Sequence, residues 1–158
     1  MKKYGFIGMG NMAKALAAGF VNKGALLEEQ ISAFAPNQEK LTQNAERIGF
    51  TAMATVEGVI RNSDIIIMAC KPYQIEGVLK QTADLWEGKV LLSVAAGWDH
   101  KRYTQYMQSL GILKPEDEMQ SSPAVRIQFI MPNTPALVAE GIFLFEETTS
   151  LLEEELEE

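Results

Sequence analysis

Residues 8–16 read GMGNMAKAL and set Gly8, Gly10 and Ala13 in a G-x-G-x-x-A spacing directly after an apolar run. Each position suits one task in holding a dinucleotide pyrophosphate. Gly8 permits a tight turn, Gly10 lets a phosphate approach the backbone, and Ala13 lets a following helix pack close to the strand. With Met9 completing the turn, the amides of Asn11 and Met12 at the helix start would meet phosphate oxygens, helped by the positive end of the helix dipole.

Four further stretches could do chemistry at the same edge of a sheet. "FAPNQEK" places Ala35, Pro36 and Asn37 where NAD-binding folds usually carry an acid for the adenosine ribose. No carboxylate stands there to repel a 2′-phosphate, and Lys40 is near. The sequence therefore favours NADP(H), while Glu39 keeps NAD(H) open. "IIIMACKPYQ" ends a strand with Ala69, Lys71 and Pro72; Pro72 should stop the ladder and leave the backbone of residues 69–71 to a ligand. "SVAAGW" offers Ala95 and Ala96, small enough for a flat ring to approach or for close packing. "IMPNTP" closes another strand with Met131, Pro132 and Asn133, a rigid turn that is either punctuation or one wall of a ligand pocket.

The elements that must position these residues follow from the apolar pattern. Short apolar runs at 4–7, 31–35, 50–53, 65–69, 90–94 and 125–131 alternate with segments at helix spacing. Most runs are continuous, as expected of strands buried on both faces. Ala13, Leu16, Ala17 and Phe20 form one helical stripe with Gly24 as its stop. Further helices are expected at 38–48, 56–61, 74–86 and 100–110, the last capped by Asp99. Residues 111–124 lack periodicity and read as an exposed loop. The fold class is α/β, a Rossmann-like, doubly wound, mainly parallel sheet with helices on both faces.

Bulk properties exclude several classes. The formal charge of -7 arises in the tail, because residues 146–158 hold seven of the 21 acidic residues and no base. The remainder carries 14 acids against 14 bases, which gives no electrostatic case for nucleic acid or a membrane surface. Cys70 is the single cysteine, read as a packing residue, and with one His100 no metal site is expected. No stretch approaches a membrane span, so a soluble, cytoplasmic protein is expected.

Four blocks in order, GFIGMGNMAKAL, KP after an apolar strand, SVAAG and MPNTPALVAEG, make the chain resemble the pyrroline-5-carboxylate reductases, specifically their N-terminal cofactor domain. The resemblance implies a full protein that reduces the C=N bond of 1-pyrroline-5-carboxylate to give proline, the last step of proline biosynthesis. It also implies that Gly8, Met9, Gly10, Asn11 and Met12 hold pyrophosphate and that Ala35, Pro36 and Asn37 surround the adenosine ribose. Ala69, Lys71, Pro72, Ala95 and Ala96 would line the path to nicotinamide, which Met131, Pro132 and Asn133 would close. Departures are Phe129 where the family usually has Arg, Val56 where some relatives have Asn, and a longer loop at 111–124.

Ser150 and Glu153 fit a capping box, yet the helix they begin stops at Glu158 with an unmatched Leu151, Leu152, Leu156 stripe. A cofactor domain over 1–147 is therefore expected, with 148–158 starting a helix toward an absent C-terminal helical domain. In the family that domain binds substrate, makes the homo-oligomer and carries the residues that act on the proton. The chain alone is expected to bind dinucleotide and to turn over substrate weakly or not at all. A related β-hydroxyacid-type dehydrogenase, or a regulatory protein that retains the nucleotide site, are the alternatives.

Overall fold

The computed structural model describes residues 2–95, 97–113, 125–131 and 144–145, and of residues 129–131 and 144–145 the backbone alone. The elements are β1 (Tyr4–Ile7), α1 (Asn11–Asn22), a 3-10 turn (Glu28–Gln30), β2 (Ile31–Phe34), α2 (Gln38–Ile48), β3 (Thr51–Ala52) and α3 (Val56–Arg61). They continue through β4 (Ile65–Met68), α4 (Pro72–Gln81), β5 (Lys89–Ser93), α5 (His100–Ser109), β6 (Val125–Met131) and β7 (Leu144–Phe145).

The strands lie in the order β3-β2-β1-β4-β5-β6-β7. Pairs from β3 through β6 are parallel, and β7 runs antiparallel to β6. The direction of winding reverses between β1 and β4, the switch point at which open α/β sheets leave a crevice. Register sets the strand ends level: Ile7 stands opposite Phe34 and Met68, Met68 opposite Ser93, and Ser93 opposite Phe129. The residues that follow this row, Gly8, Ala35 and Ala69 among them, consequently share one edge.

The sheet is buried on both faces. Phe6, Ala33 and Ile67 pack with Ala13, Leu16 and Leu41 of α1 and α2. Ile7, Ile66 and Met68 pack on the other side with Ile60, Leu79 and Met107 of α3, α4 and α5. The alternation Ile66, Ile67, Met68 thus feeds two cores, which explains a continuous apolar run where a half-buried strand would alternate.

Several boundaries differ from the sequence reading. β3 pairs over two residues only, Thr51 and Ala52 against Ser32 and Ala33, with Phe50 packed in the α1–α2 core and Met53 against the other. α4 starts at Pro72 and ends at Gln81, where 74–86 was expected. Pro72 occupies the first helical position, where its missing N–H costs nothing, so it begins a helix after the ladder has ended at Met68. Trp86 lies beyond α4, fully buried, its indole donating to Thr82 Oγ1 at 2.9 Å. In the expected exposed loop at 111–124, Ile112 and Leu113 fold back instead, both amides donating to Met107 O, with Leu113 buried. The strand β7 had no counterpart in the sequence reading. Residues 114–124 and the expected tail helix lie outside the described residues.

Candidate functional site

The turn after β1 is held by its backbone. Gly8 takes φ 99°, donates to Phe34 O at 2.8 Å and leaves no room for a side chain: an added Cβ would lie 2.6 Å from Cys70 N and 2.7 Å from the Ala69 carbonyl. The ends of β1 and β4 therefore approach as closely as they do only because position 8 is glycine. Gly10 is the opposite case. At φ -80° it has ordinary geometry, and an added Cβ would meet nothing within 4 Å. Ala13, 1 % exposed, packs in the core beneath the turn, which fits its expected role in close helix–strand packing.

Gly10 is also the N-cap of α1, and no side chain caps this helix. The first helical amides, from Asn11 onward, have no carbonyl one turn back to bond. Elsewhere the sequence supplies acceptors: Asn37 Oδ1 takes Lys40 N–H at 3.1 Å, Thr55 Oγ1 takes Gly58 N–H at 3.0 Å, and Asp99 Oδ1 takes Arg102 N–H at 2.8 Å. At α4, Gln74 Oε1 instead accepts from Lys71 N–H at 3.1 Å. The start of α1, exposed at Gly10, Asn11 and Met12, thus keeps its donors and its positive dipole end turned to open space.

Beside this turn a cleft of about 260 Å³ opens between α3 and α4. Ile7 and Gly8 form one end, Phe34 and Pro36 bring in the tip of β2, and Cys70 brings in the end of β4. Its outer walls are the first turn of α3, through Thr55, Val56 and Glu57, and one face of α4, through Gln74, Val78 and Gln81. Burial pushes the Cys70 thiol up from 9.0 to about 11, so it stays a neutral lining group near neutral pH.

The expected site residues divide. Gly8, Gly10, Asn11, Met12, Ala35, Pro36, Asn37, Lys71 and Pro72 all lie at the carboxyl edge of β1, β2 and β4, and Lys71 and Pro72 are exposed there. Met9 contributes backbone alone, because its side chain is buried in the α1–α2 core. Asn37 spends its side-chain oxygen on capping α2. The N–H of Ala69 is taken by Ile7 O at 2.8 Å and that of Lys71 by Gln74 Oε1 at 3.1 Å, so the expectation that the backbone of 69–71 stays available fails at those two amides. Ala95 is 5 % exposed and packs in the α3–α5 core, so its small size serves packing.

The turn after β5 is braced from within. Tyr103 Oη and Ser93 Oγ lie 2.6 Å apart, Ala95 N–H donates to Ser93 Oγ, and Arg102 donates to Gly97 O at 3.0 Å while lying 4.2 Å over the Trp98 ring. Ala96, Pro132 and Asn133 lie outside the described residues, and of Met131 only the backbone is described, paired with Leu144. Sequence reasoning missed Phe34, Thr55, Glu57, Gln74, Val78 and Gln81. Gln74, Val78 and Gln81 do recur at i, i+4 and i+7, but mixed polarity makes such a face look solvated. Among the described residues no group of three metal-ligating side chains occurs, and no helix is long and apolar enough to cross a membrane.

Residues 3–97 match the family described as NADP oxidoreductase, coenzyme F420-dependent. Curated relatives include the pyrroline-5-carboxylate reductase of Treponema pallidum (strain Nichols), 36% identical over 151 residues, covering 96% of this chain and 53% of the relative. That of Escherichia coli (strain K12) is 34% identical over 142 residues, covering 89% and 48%. Among solved structures, Plasmodium falciparum pyrroline carboxylate reductase with NADP bound superposes with a TM-score of 0.73 at 26% identity, covering 99% of this chain and 52% of that one. The chain spans about half the length of the curated relatives it matches.

Proposed function

The chain belongs to the coenzyme F420-dependent NADP oxidoreductase family, and from that premise we propose that it is the NADP(H)-binding domain of a pyrroline-5-carboxylate reductase. The observation that carries the reading is the start of α1: uncapped, beside a glycine turn whose Gly10 opens onto free space, at the switch point of the sheet. Backbone donors and a positive dipole end in that position suit a pyrophosphate. The cleft alongside continues from Gly8 past the β2 tip, which suits the adenosine half of a dinucleotide.

When bound, NADPH would supply the hydride with which the full protein would reduce the C=N bond of a cyclic imino acid such as 1-pyrroline-5-carboxylate. This chain's share is to bind and orient. The amides of Asn11 and Met12 hold the pyrophosphate, and Pro36 and Asn37 flank the ribose without presenting a carboxylate to a 2′-phosphate. Lys71, exposed beside the cleft, adds a positive charge to the same edge. The NADP occupant in the Plasmodium falciparum structure supports the phosphorylated cofactor. The imine substrate, the proton and the subunit contacts of a homo-oligomer are assigned to the part of the protein beyond this chain.

A fluorescence titration tests the reading. Trp86 and Trp98 are buried donors for energy transfer to reduced nicotinamide. NADPH should quench them saturably and more tightly than NADH. Tighter binding of NADH would overturn the cofactor preference, and no saturable response to either would overturn the dinucleotide reading.

A further inference from the structure

At the outer end of the cleft, Gln81 Nε2 donates to Glu57 Oε1 at 2.6 Å, joining the last residue of α4 to the first turn of α3. Both side chains line the cleft. We infer that this pair reads the hydrogen-bonding edge of the adenine base and selects a 6-aminopurine dinucleotide over its 6-oxo counterpart. The inference rests on the dinucleotide reading above and adds to it a specificity element of this chain.

The placement follows from what the rest of the cleft does. Gly8 and the start of α1 take the pyrophosphate, and Phe34 and Pro36 stand at the ribose. What remains of the lining includes Val56 and Val78, apolar surface that suits a flat ring. Its polar end is Glu57 and Gln81. A carboxylate can only accept hydrogen bonds, so the contact with Glu57 fixes which end of the Gln81 amide faces it: the NH2 group. That group has a second N–H, and Glu57 has a second oxygen. Side by side they present an acceptor and a donor.

Adenine offers the complement, the N6 amino group as donor and N1 as acceptor. Hypoxanthine inverts both, with a carbonyl oxygen at position 6 and a hydrogen on N1. A 6-oxo base would set its oxygen against the Glu57 carboxylate and its N1–H against the Gln81 N–H. Gln81 cannot rotate its amide to adapt without placing its own oxygen against the carboxylate.

The test compares NADPH with its hypoxanthine (deamino) analogue by tryptophan quenching in the 158-residue chain and in Glu57→Gln and Gln81→Ala variants. The chain should bind NADPH about tenfold more tightly than the analogue. In Glu57→Gln, whose amide can both donate and accept, the ratio should fall to about twofold or less. Gln81→Ala, at an exposed position, should also lose discrimination while keeping its far-ultraviolet circular dichroism. Equal binding of the two dinucleotides by the unaltered chain, or discrimination retained in both variants, would overturn the inference and leave the dinucleotide reading standing. Saturable binding of neither would overturn both.

Discussion

The starts of α1 and α5 solve the same problem in opposite ways. Both helices follow a parallel strand and begin near the carboxyl edge of the sheet. Asp99 caps α5 at 2.8 Å, and the turn before it is braced by Arg102 and by the Ser93–Tyr103 contact. α1 has a glycine at its cap, no side-chain acceptor and no acid in its first turn. A capping side chain contributes about 0.5–2 kcal/mol. A helix start that forgoes this at a glycine turn beside a cleft leaves donors that suit a ligand, whereas the α5 start spends its donors on the fold.

The largest effect that probes this contrast is expected at Gly8. In Gly8→Ala the new Cβ is driven against Cys70 N and Ala69 in a left-handed backbone, and stability in urea should fall by about 3 kcal/mol. Gly10→Asp should separate folding from binding. The site is open at φ -80°, so urea stability should stay within about 0.5 kcal/mol. A carboxylate there caps α1 and repels pyrophosphate, so NADPH affinity should fall about a hundredfold. Asp99→Ala should do the reverse, costing about 1 kcal/mol of stability in the same denaturation assay.

The smallest effect concerns pH. The Cys70 thiol titrates at about 11 in the folded chain against 9.0 as the ordinary value. Between these values the unfolded chain loses its proton and the folded chain keeps it, so this contribution is complete below 9 and disappears as pH rises toward 11. Cys70→Ala should lose less stability than the unaltered chain across that window in pH-dependent melting.

Much of this was legible in the sequence because it rests on local rules. The bounds of α2 and α3 and the Asp99 cap follow from apolar spacing and capping chemistry, and the glycine spacing after β1 marks the turn. What escaped depends on contacts distant in sequence. Asn37 reads as a ribose neighbour from its place at a strand end, but the start of α2 claims its oxygen. Leu113 reads as exposed and Ala95 as suiting either a ring or close packing, and the sheet's second face buries both. Glu57 and Gln81 lie 24 residues apart and become one element of the site only when α3 packs beside α4.

The central claim is that the uncapped start of α1 receives the pyrophosphate, and the most direct measurement follows its amides. In a nitrogen-15 correlation titration with NADPH, the Asn11 and Met12 N–H resonances should move saturably and among the most, while those of Arg102 and Tyr103 near the start of α5 move little. Saturable binding that leaves Asn11 and Met12 in place would contradict the account.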